Sequence, residues 1–129
     1  IVYTEKTLRD GRKVQQEKIE DGKGLIFAHT TKINKDGSFF ESYVRKFLNN
    51  KPDYSVIQSG DKLDIVTTHP NIFQNTIQRF VTKIKQGTQN TKIFDNDKLV
   101  STEQTRRSIN PIYALDSAQK EFNKTKALI

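Results

Sequence analysis

Thr67–Gly87 reads TTHPNIFQNTIQRFVTKIKQG, and how it folds decides the architecture of the chain. Phe73, Ile77, Phe80, Val81 and Ile84 recur at helical spacing and fall within one arc of roughly 100°. Gln74, Asn75, Gln78, Arg79, Thr82, Lys83 and Lys85 fill the opposite wall. Pro70 suits a first helical turn, where a missing N–H costs nothing. Thr68, His69 or Asn71 supplies the N-cap. Gly87 stands where a left-handed C-terminal residue is wanted. Lys83 and Lys85 then face the negative end of the helix dipole. The spacing therefore predicts an amphipathic helix over about 70–86.

No Asp or Glu occurs between Asp64 and Asp95, whereas Arg79, Lys83, Lys85 and Lys92 do. One reading is an anion-facing helix. The other is a solvated polar face, which is the commoner use of such a charge run.

Upstream, the first 47 residues read as a β-meander. Asp10-Gly11, Asp21-Gly22 and Asp36-Gly37 mark three hairpin turns between runs rich in β-branched and aromatic residues. Phe39, Glu41, Tyr43, Arg45 and Phe47 alternate with Phe40, Ser42, Val44 and Lys46, the period of a strand. The first hairpin is very polar, which fits a sheet edge. Tyr54–Gln58 and Lys62–Thr68 read as two more short strands around Ser59-Gly60-Asp61.

Downstream, 88–110 is a long polar segment. Within it Lys92-Ile93-Phe94 and Leu99-Val100 can pair across Asp95-Asn96-Asp97-Lys98. Asn110-Pro111 reads as N-cap and first residue of a second helix, to about Lys126, with Ile112, Leu115, Ala118 and Phe122 as its apolar stripe. The expected fold is α+β. It is one domain over 1–129, with an antiparallel meander of about six strands packed by the helix at about 70–86, and a second helix at about 111–126.

The chain has 129 residues, 33% of them hydrophobic, with eight Phe and four Tyr. That supports a modest core, so burial against a partner or a second copy would add stability. The net charge is +7. Residues 1–50 carry ten Lys and Arg against seven Asp and Glu, and residues 51–129 carry twelve against eight. The excess is thus spread along the chain and favours anionic partners. With no cysteine, thiolate catalysis and cysteine-based metal sites are excluded. No apolar run approaches the roughly 18 residues of a membrane span.

His29 lies mid-strand beside Phe27 and Thr31 and reads as a sheet residue; His69 reads as part of a helix cap. No nucleophile motif, phosphate-binding glycine loop or complete calcium loop is present. No catalytic, metal or cofactor site is therefore expected. The order of a meander followed by helices is similar, in topology and length, to the coat proteins of small RNA phages. That resemblance implies a sheet that dimerises and binds RNA. No functional residue is carried over from it.

The first expectation is a non-enzymatic structural or interaction protein, a self-associating subunit of a larger assembly. The alternative is nucleic-acid binding by Arg79, Lys83 and Lys85 with Arg106 and Arg107, since phosphate contacts need only clustered cations.

Overall fold

The computed structural model describes residues 1–48, 50–106 and 110–129. Nine strands form one antiparallel sheet whose spatial order is the order of the chain. They are β1 (Val2–Thr7), β2 (Lys13–Glu20), β3 (Leu25–Ile33), β4 (Phe39–Phe47), β5 (Tyr54–Ser59), β6 (Lys62–Asn71), β7 (Thr76–Lys85), β8 (Thr88–Asp95) and β9 (Lys98–Arg106). One helix, α1 (Pro111–Ala127), follows and lies across β4 and β5. The α+β class and the antiparallel meander agree with expectation; the sheet is larger than six strands and one helix is described, not two.

The expected helix over 70–86 is a β-hairpin. β6 and β7 pair from Lys62↔Lys85 to Asn71↔Thr76, with a turn at 72–75. The five residues of the supposed apolar arc are split by the strand period. Phe80 and Ile84 point to the helix-bearing face of the sheet, Ile77 and Val81 to the other, and Phe73 is 100% exposed at the tip. The segment contains no Ala, Leu, Met or Glu, and its Thr, Ile, Val and Phe residues favour a strand, whereas its Gln, Arg and Lys residues are compatible with either state.

The helix-ending features serve a hairpin equally well. Gln86 and Gly87 both have positive φ (51° and 78°), the type I′ pattern that joins two strands tightly. Ile77 gives its N–H to Asn96 Oδ1 and its carbonyl to the Asn96 N–H. Both backbone groups of Ile77 thus face β8, and its partner Pro70 sits in a non-hydrogen-bonded pair. The Pro70 nitrogen points away from β7, beyond the last β5–β6 pair, where no N–H is required.

The polar segment after Gly87 forms β8 and β9. Asn96 and Asp97, both at positive φ, make the turn between them, and a register shift follows at Ile93/Phe94. The three upstream turns fall where Asp-Gly marked them, by a different mechanism. Only the glycines have positive φ; each aspartate instead accepts a backbone N–H two residues on. Gly24 also has a positive φ (109°), which other residues rarely adopt, and a Cβ there would in addition come within 2.5 Å of Leu48 Cδ2.

The core lies between α1 and the middle strands: Ile19, Phe27, Tyr43, Val56, Leu63 and Ile84 from the sheet meet Ala118 and Phe122 from the helix. α1 begins as the sequence indicates, with Asn110 Oδ1 accepting the Ile112 N–H and Pro111 in the first turn. Phe122 meets Phe27, His29 and Tyr43 edge-on.

Candidate nucleic-acid interface

Residues paired across an antiparallel ladder carry their side chains on the same face, so the register sorts every strand residue to one side or the other. Arg45 and Tyr43, which meet Glu121 and Gln119 of α1, identify the helix-bearing face. The opposite face carries no described helix.

On that helix-free face one row runs through all nine strands: Lys6, Val14, Lys32, Phe40, Ser59, Lys62, Lys85, Thr88, Arg106. It holds five cations and no carboxylate. At about 4.8 Å between strands it spans roughly 40 Å. The next row contributes Lys83 beside Asp64, and the one after it Lys18 and Lys92. The helix-bearing face has the reverse balance, with Glu5, Glu17, Glu41, Asp95 and Glu103 against Lys13, Arg45 and Lys98 on its strand residues.

Lys6, Lys62, Lys83, Lys85, Lys92 and Arg106 are exposed. Among the described residues none of these six has a carboxylate within 4.0 Å. Lys32 is half-buried because its ammonium sits 4.5 Å above the Phe40 ring. A polyanion laid across the strands would therefore meet cations not already neutralised by the chain.

The residues singled out from sequence distribute as follows. Lys83, Lys85 and Arg106 share this face. Arg79 shares it too but is engaged elsewhere: its guanidinium stacks 4.8 Å from the Phe94 ring and lies 3.5 Å from Asp97. It lines an open groove of about 660 Å³ between residues 50–53 and the β7 and β8–β9 turns, away from the row. Arg107 lies outside the described residues. Lys6, Lys32 and Lys62 were not found from sequence; Lys92 was noted in the acid-free run but not placed among the candidate contacts. The signal was strand alternation: Lys83 and Lys85 are two apart, hence on one face of a strand but well separated around a helix.

His29, Glu41 and Tyr43 come together on the other face. His29 Nε2 lies 3.0 Å from Glu41 Oε1, and its ring stacks on Tyr43 at 4.0 Å. The Tyr43 hydroxyl reaches both Glu41 Oε1 and Gln119 Oε1. Burial, then the Glu41 charge, push the Tyr43 hydroxyl far above its ordinary pKa, so it stays a neutral donor. The group closes the joint between α1 and the sheet. His69, expected at a helix cap, is instead a β6 residue beside Phe80. No group of three His, Cys, Asp or Glu able to hold a metal occurs among the described residues.

No family model, curated protein or solved structure matches the chain.

Proposed function

We propose that the chain is a non-enzymatic interaction module that binds nucleic acid across its helix-free face. The observation that carries this reading is the row Lys6–Lys32–Lys62–Lys85–Arg106, free of carboxylates and crossing all nine strands. Its span of roughly 40 Å is comparable with one turn of duplex, about 34–36 Å. Phosphate contacts of this kind give salt-dependent affinity with little sequence preference. The polar groups between the cations, Ser59 and Thr88, suit sugar and phosphate oxygens.

The test is oligonucleotide anisotropy over a salt series, with Lys62→Glu/Lys85→Glu against the parent. The expected result is weaker binding to all sequences, with the salt slope falling by about 0.7–0.9 for each phosphate that is no longer neutralised. Equal affinity and slope in the two proteins would overturn the reading.

The second reading is a self-associating assembly subunit, favoured by the open sheet edges. Every residue of β1 is exposed, and in β9 only Ser101 is even half-buried. Each edge offers unpaired backbone groups to another strand. Light-scattering mass without nucleic acid separates the two. A defined oligomer at low and high salt favours assembly, while a monomer that gains mass on RNA at low salt favours nucleic-acid binding.

A further inference from the structure

The end of the sheet away from the cationic row has its own character. β6 leaves β5 at Val66, and Thr67–Asn71 run on for roughly 16 Å, paired only with β7. On the other side β8 stops at Asp95, opposite Gln78. The β6–β7 hairpin therefore projects, and its tip presents Ile72 (87% exposed) and Phe73 (100% exposed). Phe47, Leu48, Leu99 and Val100 are exposed at the same end of the sheet.

The charges around this tip are also arranged. Of its carboxylates, Glu20 is taken up by Lys18, Asp53 by Arg45, Asp97 by Arg79, and Asp21 by the backbone N–H groups of Lys23 and Leu25, while Asp95, half-buried opposite Gln78, has no cation within 4.0 Å among the described residues. Lys23, Lys46, Lys51 and Lys98, in or next to the turns of this end, have no carboxylate within 4.0 Å among the described residues. An apolar tip at an end of the sheet that also carries uncompensated lysines complements an anionic lipid surface: the aliphatic and aromatic side chains enter the acyl boundary while the ammonium groups meet headgroup phosphates.

We infer that the 72–75 hairpin tip docks the protein onto anionic membranes, inserting Ile72 and Phe73. This surface is independent of the nucleic-acid row and lies at the opposite end of the strands. The occupant is a lipid surface; a protein with an apolar pocket is the competing outcome.

The chain has no tryptophan, so Phe73→Trp introduces a single tryptophan at the tip, whose emission is read apart from the four tyrosines by excitation at the red edge of the absorption band. The probes are phosphatidylcholine vesicles with and without phosphatidylglycerol. The expected result is a blue shift with the anionic vesicles only. Ile72→Ser/Phe73→Ser should lower vesicle co-sedimentation by about tenfold or more, while Lys62→Glu/Lys85→Glu should retain it. Fluorescence unshifted by either vesicle, or a serine variant that sediments like the parent, would overturn the inference and leave a protein partner for the tip. An equal shift with neutral vesicles would overturn the electrostatic part of it. Both variant sites are exposed, and an unchanged circular dichroism spectrum establishes that each variant is folded.

Discussion

Asp10, Asp21 and Asp36 show how single residues set the turns of this sheet. Each carboxylate bonds to its own turn: the largest cause of the lowered pKa is the Arg12 N–H for Asp10, the Lys23 N–H for Asp21 and the Ser38 hydroxyl for Asp36. All three therefore titrate below the ordinary value of 3.8. A depressed folded-state pKa means that the charged form stabilises the fold. That contribution is present in full well above 3.8 and is lost as pH falls through the lower folded value. Acid denaturation followed by circular dichroism should show stability falling only below about pH 4 from these groups. Asp21→Asn should flatten that limb, and an unaltered acid transition would show that the Asp21 turn does not contribute.

Asp-Gly was legible in the sequence as a turn marker because both of its possible mechanisms place a turn at the same residues. The cationic row was not legible in the same way. Lys6 and Arg106 are a hundred positions apart, and only the register brings them into line.

At the scale of elements, the helix and the hairpin differ in how much their local sequence decides. α1 carries a cap, an N1 proline and alanines at packing positions, and all of these agree with one state. The 67–87 segment is ambiguous by periodicity alone, because an apolar set at spacings of 4, 3, 1 and 3 also populates both faces of a strand. Its positive-φ glycine ends a helix or turns a hairpin equally well. Its β-branched and aromatic residues, four Thr, three Ile, one Val and two Phe, were the better guide.

The helix itself is anchored at few points. Phe122 is 1% exposed and joins three aromatic rings of the sheet, and Ala118 is fully buried beside it. Phe122→Ala should cost about 3–5 kcal/mol in chemical denaturation, through the cavity it leaves. The Tyr43–Gln119 hydrogen bond does not fill that cavity. A cost under about 1 kcal/mol would mean that α1 contributes little to holding the sheet.

For the whole molecule, strand pairing is strictly between sequence neighbours, and the buried core sits under the helix near the middle of the row of strands. β1 and β9 are joined to that core through their neighbours in the ladder. Openings should therefore peel inward from the two flanks, in steps of one strand at a time, without passing through a global event. Amide hydrogen exchange should be fastest in β1 and β9 and slowest in β3–β5, and uniform protection across the nine strands would contradict this picture. A polyanion that follows the twist of the sheet from Lys6 to Arg106 would tie down both fraying flanks, so saturating nucleic acid should slow exchange most where it is fastest in the free protein. The row of cations would then act as a latch against its own edge fluctuations, and occupancy could be read from the quietening of strands that contribute nothing to the core.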